Sequence, residues 1–230
     1  MTVVAFDFDG TLSDSEMTVL LGDRRGVATD MDEITERAMN DEIEYAESLR
    51  KRAALLEGLP EAEAEAAFDE VVLREGAADL IAELNDAGVT TAILTGGFER
   101  GVAAALEREG VSVDHIVSNR LPMTGGESEA TASDSTSGDQ PRVLTGAVEG
   151  PLIEGTKDDA LADLADEVGV DLADTVAVGD GANDLPMLEV AGLAIGFEPK
   201  PAVEPHCDTV VSTMAEARET LVADGVLDDE

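Results

Sequence analysis

Four short apolar runs punctuate the chain, each closing on polar or small residues: VVAFDF at 3–8, VTTAILT at 89–95, DHIVS at 114–118 and TVAVGD at 175–180. Runs of this length, rich in Val and Ile and bounded by Gly, Asp or Thr, predict buried strands. Between them the apolar spacing changes to three and four. Ala78, Ile81, Ala82 and the stretch 84–87 mark one helical face before Gly88. Ala160, Leu161, Leu164, Ala165 and Val168 mark another before Gly169, a C-cap. Strands alternating with helices in this order predict an α/β fold built on a parallel sheet.

Segment 15–75 breaks the alternation. It holds no convincing strand, but Ile34/Ala38, Leu49/Ala53/Leu56 and Ala67/Val71 keep helical spacing. We read it as a helical insertion in a discontinuous core of residues 1–14 and 76–230. Residues 125–141, GGESEATASDSTSGDQP, are acidic, low in complexity and rich in Ser, Thr and Gly, which predicts a mobile loop within that core. They join RLPMT to RVLTGAVEG, two segments expected to pair as a hairpin.

At 230 residues the chain suits one core domain plus a modest insertion. Hydrophobic residues make up 43%, but aromatics only 3%, so Val, Ala, Leu and Ile must fill the core. No stretch approaches the ~20 apolar residues of a membrane span. The chain opens on MTVVAFDFDGT without a basic region or cleavage site, and a cytoplasmic location is expected. A single cysteine, Cys207, excludes an internal disulfide and a cysteine-based zinc cluster.

Charge changes the picture most. Asp and Glu total 52 against 14 Lys and Arg, a formal net charge of −38. Such a surface repels nucleic acid and anionic membranes, so neither is expected as a partner. The apolar content and periodicity argue against disorder as the reason. A protein built for molar salt, where the Debye length falls to ~3 Å, accounts for the imbalance. A halophilic source is therefore expected.

Candidate chemistry gathers at the strand ends. The first strand closes on Asp7-Phe8-Asp9-Gly10-Thr11, where alternation puts Asp7 and Asp9 on one side and Gly10 permits a tight turn. Two carboxylates this close need a cation or a proton between them, unless the turn is simply solvated. The second run closes on Thr95-Gly96-Gly97-Phe98 before a helix pattern. A hydroxyl and glycine amides at a helix N-terminus would cradle an anion; an ordinary strand-to-helix turn is the alternative. After TVAV, Gly179-Asp180-Gly181-Ala182-Asn183-Asp184 crowds two carboxylates and an amide into one turn, an oxygen-only set that suits magnesium. Lys157 opens a core helix in a chain with only three lysines, Lys51, Lys157 and Lys200. It could neutralise a phosphoryl oxygen or an aspartate nucleophile, or lie in solvent.

In this order and at these strand ends, the four sets resemble the motifs of the haloacid dehalogenase superfamily. DFDGTLSDSE, SLRKRAALLEG, TGGF, Lys157 and VAVGDGANDLPML are similar, over nearly the whole chain, to its phosphoserine phosphatase branch. Thr95 stands where serine is common, which keeps a hydroxyl, and the acidic loop 125–141 lengthens a turn that is usually short.

The resemblance implies a Rossmann-like parallel-sheet core with an inserted helical cap, 15–75. It implies hydrolysis of O-phospho-L-serine, the last step of serine biosynthesis, with Asp7 as nucleophile and Asp9 as general acid and base. It further implies Mg2+ held by Asp7, Asp9 and Asp180 with Asp184 behind them, and phosphoryl oxygens received by Thr95, Gly96, Asn183 and Lys157. Substrate contacts carried over are Arg52 for the carboxylate and Glu16 for the ammonium; at least one of Arg50, Lys51 and Arg52 should be solvated. Met39 and Tyr45 would be the apolar wall of that pocket or core residues of the cap. Another small phosphomonoester such as phosphohomoserine, or a catalytically silent binding domain, are the other readings. Monomer and homodimer both stay open.

Overall fold

Alternation along Val3–Phe6, the first strand (β1), sends Val4 and Phe6 into one hydrophobic core and Val3 and Ala5 into another. The computed structural model describes residues 2–39, 42–124 and 141–228. After β1 come four helices, α1 (Met17–Arg25), α2 (Ala28–Met39), α3 (Tyr45–Leu55) and α4 (Glu61–Phe68). The chain continues through α5 (Ala77–Asp86), β2 (Thr90–Phe98), α6 (Glu99–Glu109), β3 (His115–Asn119), β4 (Met123–Thr124) and β5 (Val143–Leu144). It ends with α7 (Lys157–Val168), β6 (Thr175–Gly179), α8 (Leu185–Val190), β7 (Leu193–Phe197), β8 (Thr209–Val211) and α9 (Met214–Ala223).

Six strands pair in parallel in the order β3-β2-β1-β6-β7-β8. Four of the six, β3, β2, β1 and β6, are those the apolar runs predict; β7 and β8 add a further pair at one edge. Successive strands are added outward on one side of β1 and then on the far side of β6. The order therefore switches between β1 and β6, and the crevice beyond their carboxyl ends is where such sheets bind ligands. Leu80, Ile81 and Leu84 of α5 and Met214, Ala217 and Leu221 of α9 share the core of Val4 and Phe6. Leu161 and Leu164 of α7 and Met187 and Leu188 of α8 share that of Val3 and Ala5. Each of the Leu, Ile and Met side chains contributes about 1.5–3 kcal/mol on burial.

Helices α1–α4 bury the predicted Leu49, Ala53, Leu56, Ala67 and Val71. They rest on the sheet edge through Phe68, whose ring meets Phe98 edge-on with centroids 6.5 Å apart. Gly101, in the first turn of α6, lets them approach: a Cβ there would come within 2.6 Å of Met17 Sδ. The chain leaves and rejoins the core at neighbouring points. Ser13 Oγ donates to the Val72 carbonyl (2.7 Å), the Arg74 amide donates to the Leu12 carbonyl (2.8 Å), and Ser13 bridges Leu73.

Strands β4 and β5 pair antiparallel, as expected for the segments flanking the acidic loop. The loop itself, Pro141 excepted, lies outside the described residues. The free side of β5 is met by residues 58 and 59: Gly58 donates to the Leu144 carbonyl (2.8 Å) and Leu144 to the Leu59 carbonyl (2.9 Å). Among the described residues no helix is long and apolar enough to cross a membrane.

Candidate active site

Asp7 follows β1 directly, and its amide extends the ladder by donating to the Val178 carbonyl of β6 (2.8 Å). Its carboxylate is therefore delivered to the switch point. Lys157, the first residue of α7, reaches the same place from below one face of the sheet. Its ammonium donates to Asp7 Oδ1 (2.6 Å) and to Asp184 Oδ1 (2.5 Å), and all three side chains are buried. Asp184 Oδ2 in turn accepts the amides of Asp180 (2.9 Å) and Gly181 (2.8 Å), which fixes the turn after β6. Carboxylate oxygens of Asp7, Asp180 and Asp184 all lie within 4.8 Å of one another.

Three carboxylates here face one buried ammonium. Burial and then Asp184 push Asp7 up to about 7, with Lys157 pulling against them. Burial works against the Lys157 charge, but Asp184 and Asp7 outweigh it and push that pKa up. Asp180 is raised as well, by burial and then by Asp184. Excess buried negative charge on an all-oxygen donor set fits a hard divalent cation.

Asp9 sits in the turn beyond Asp7. Its Oδ1 is buried and has no hydrogen-bond partner among the described residues. Burial, then Glu16 and Asp7, hold its pKa well above the usual carboxylate range. Lys157 bonds to Asp7 and not to Asp9, so the two carboxyls differ in what offsets their charge.

Thr95 and Gly96 do not open a helix, contrary to expectation. Strand β2 runs on to Phe98, which pairs with Asn119 of β3 across an irregularity in register, and α6 starts only at Glu99. The loosened strand still turns its polar groups toward Asp9. Thr95 Oγ1 accepts the Gly97 amide (2.9 Å), which leaves the hydroxyl proton available, and a Cβ on Gly97 would lie 2.7 Å from Asp9 Oδ2. Asn183 occupies a 3-10 turn, Ala182–Asp184, at the end of β6, with its Oδ1 against Gly181.

From the helices come Glu16, Tyr45 and Arg52. Arg52 Nη1 donates to Thr18 Oγ1 (3.1 Å), while its buried Nε has no partner among the described residues. Arg50 instead pairs with Glu154 and Lys51 with Glu47, so of the three basic neighbours only Arg52 turns inward. Glu16 precedes α1 and remains open to water, yet partial desolvation raises its pKa, with Lys200 and then Arg52 among the opposing charges. Tyr45 feels Lys157, Arg52, Asp7 and Asp184 together, and burial raises its hydroxyl pKa. Met39 ends α2; its side chain lies outside the described residues.

The profile of the haloacid dehalogenase-like hydrolases matches residues 4–189. The chain belongs to that family. This hydrolase is 55% identical over 214 residues to a phosphoserine phosphatase of Halobacterium salinarum, covering 93% of this chain and 94% of the other. A phosphoserine phosphatase of Methanocaldococcus jannaschii is 35% identical, with 91% of each chain covered. Among solved structures, a substrate-bound phosphoserine phosphatase complex superposes with a TM-score of 0.80 at 33% identity, over 95% of this chain and 97% of the other. A phospho-aspartyl intermediate analogue of phosphoserine phosphatase gives 0.79 at 34% identity with the same coverage.

Two residues of the hydrolase site escaped the reading of the sequence. Lys200, after β7, places its ammonium 3.1 Å from Asp180 Oδ2. The rarity of lysine, used for Lys157, applies to it equally. Asn119 is fully buried at the end of β3, donating to the Gly96 carbonyl (3.0 Å) and accepting the Leu152 amide (3.2 Å). A polar residue closing an apolar strand was its only signal.

Proposed function

We propose that the chain is a magnesium-dependent phosphoserine phosphatase, splitting O-phospho-L-serine into serine and phosphate through a phosphoryl-enzyme on Asp7. The observation that carries this reading is the buried Lys157 ammonium joining Asp7 to Asp184 at the switch point. The substrate is supported by the phosphoserine phosphatase relatives, one of them 55% identical over nearly the full length of both chains.

Asp7 attacks phosphorus, the bond from phosphorus to the serine oxygen breaks, and that oxygen takes a proton from Asp9. The raised pKa of Asp9 supports its holding a proton for this step. Water then gives a proton to Asp9 and attacks the phosphorus of the aspartyl-phosphate, which frees phosphate and returns Asp7. Lys157 offsets charge on Asp7 and the phosphoryl group, while the Thr95 hydroxyl, the Gly96 amide and Asn183 receive phosphoryl oxygens. Magnesium held by Asp7, Asp180 and the Asp9 carbonyl would offset the remaining negative charge of the phosphoryl group. Asp184 has Lys157 and two amides on its oxygens, and serves by orienting them.

Residues 15–75 act as a cap over the core of 1–14 and 76–230. Within it Arg52 takes the substrate carboxylate through donors that the protein leaves spare, Glu16 takes the ammonium, and Tyr45 with Met39 lines the pocket. The net charge of −38 supports work in molar salt, and we place the enzyme in the cytosol of a salt-adapted cell.

Phosphate release from L-phosphoserine and from O-phosphohomoserine, in molar potassium chloride with magnesium, tests the proposal. L-phosphoserine should have the higher kcat/KM. A preference for phosphohomoserine would displace the substrate, activity surviving chelation would remove the metal, and release from neither would end the phosphatase reading.

A further inference from the structure

We propose that Arg74 and Glu198 form a positioning clamp on the turn between Asp9 and Thr11, in which Glu198 holds the Arg74 guanidinium and Arg74 holds the Gly10 carbonyl. The inference rests on the phosphatase reading above, because that turn carries the acid–base carboxyl and walls the cation-holding Asp180.

Arg74 is fixed from four sides. Its amide donates to the Leu12 carbonyl (2.8 Å), Nη2 donates to the Gly10 carbonyl (3.1 Å), and Nη1 donates to Glu198 Oε2 (3.1 Å). Its guanidinium carbon lies 4.9 Å from the centre of the Phe197 ring. Nε is buried without a partner among the described residues, so the group is oriented to serve Gly10 and Glu198 through Nη2 and Nη1 at the expense of Nε.

Gly10 is the piece being held. It lies at φ +92°, a conformation that favours glycine, and its amide already donates to the Ser13 carbonyl (2.8 Å). A Cβ at this position would come 2.7 Å from Asp180 Oδ1, so the bare Gly10 backbone forms one wall of the Asp180 carboxylate. Arg74 secures the other backbone polar group of that residue, its carbonyl.

Glu198 carries the second observation. Among the described residues it is the one non-glycine residue with positive φ, at +42°. A half-exposed ion pair contributes little to stability, so the pair alone does not account for a left-handed backbone there. Strain of this kind clusters at functional sites, where the surrounding structure holds it in place.

The test uses Arg74→Met, Arg74→Lys and Glu198→Gly in the full chain, with phosphoserine and p-nitrophenyl phosphate as substrates and magnesium titrated calorimetrically. Arg74→Met should lower kcat about tenfold on both substrates, the loss of one charge-assisted hydrogen bond, with KM for phosphoserine within about twofold. It should also weaken magnesium binding about threefold or more, and Arg74→Lys should recover part of both losses. Glu198→Gly relieves the backbone, so its melting temperature should equal or exceed that of the wild type while kcat falls by about threefold or more. A fall in melting temperature that parallels kcat in every variant would reduce the clamp to a structural tie and overturn it. So would wild-type kcat and magnesium affinity in both Arg74→Met and Glu198→Gly, and should Arg74→Met not fold, Glu198→Gly decides. A wild type that releases no phosphate would instead overturn the phosphatase reading.

Discussion

Tyr45 and Gly96 touch across the gap between α3 and the end of β2: the Tyr45 hydroxyl fills the space that a Cβ on residue 96 would need. Helix α3 and the end of β2 are thus matched at a single hydroxyl and a single missing methyl. Gly96→Ala should push α3 off the site and lower kcat/KM by roughly a hundredfold, the scale expected for a displacement of about 1 Å. With Tyr45→Phe added, the nearest ring atom, Cζ, lies 3.2 Å from the new methyl, and part of the loss should return. Steady-state kinetics of the single and double variants check this; no recovery in the double variant would count against the contact.

Lys157 is the one ammonium between Asp7 and Asp184. Replacing it with Met leaves both carboxylates buried without their partner, a loss of about 3–5 kcal/mol. For a chain of this size the melting temperature should fall by roughly 6–20 °C without magnesium. Magnesium should restore part of that, because a cation then offsets the same carboxylates. Thermal unfolding with and without the ion reads both effects, and an unchanged melting temperature would refute the role.

Asp7 stands at about 7 against an ordinary 3.8, so in this window the folded chain keeps a proton that the unfolded chain gives up. The stabilising contribution of that proton is present at low pH and is lost as pH rises from about 4 through about 7. A cation requires the ionised carboxylate and so expels the proton. Magnesium affinity should therefore climb with pH up to about 7 and then level off, and its stabilising effect should climb with it. Calorimetry in buffers of different ionisation enthalpy counts the released proton; pH-independent affinity with no proton release would contradict the assignment.

In the proposed reading Arg52 takes the carboxylate of the substrate, whereas the core receives the phosphoryl group. Losing one partner of a buried charge-assisted pair costs about 2–5 kcal/mol. Arg52→Ala should then lower kcat/KM on phosphoserine by roughly one and a half to three and a half decades, yet leave p-nitrophenyl phosphate nearly untouched. Equal losses on both substrates would assign Arg52 to the packing of the cap.

The parts of this site that could be read in advance share one property: each is local. Asp7, Thr95 and Asp180 all follow an apolar run within a residue or two, so the strand that delivers them is visible beside them. Lys157 was visible through its rarity and its place at a helix start. What stayed hidden depends on partners far away in sequence. Lys200 matters because β7 lies beside β6 and brings it to Asp180. Strand β8 is three residues long with Val210 exposed, too short and too mixed to show a period. The glycine pair after Thr95 reads as the end of a strand, and only the pairing of Phe98 with Asn119 keeps it extended.

The side-by-side linkers at Leu12–Ser13 and Val72–Arg74 have a consequence for how such an enzyme can change. A segment whose two ends already touch places almost no demand on the host: lengthening it adds only a slowly growing closure entropy, about 0.6 kcal/mol per doubling. Glu16, Tyr45 and Arg52 lie inside that segment, while Asp7, Lys157 and Asp180 lie outside it. Under the proposed roles, selectivity and reactivity then sit on separately replaceable pieces of chain, and a foreign segment grafted between Ser13 and Val72 should present a different phosphate ester to Asp7.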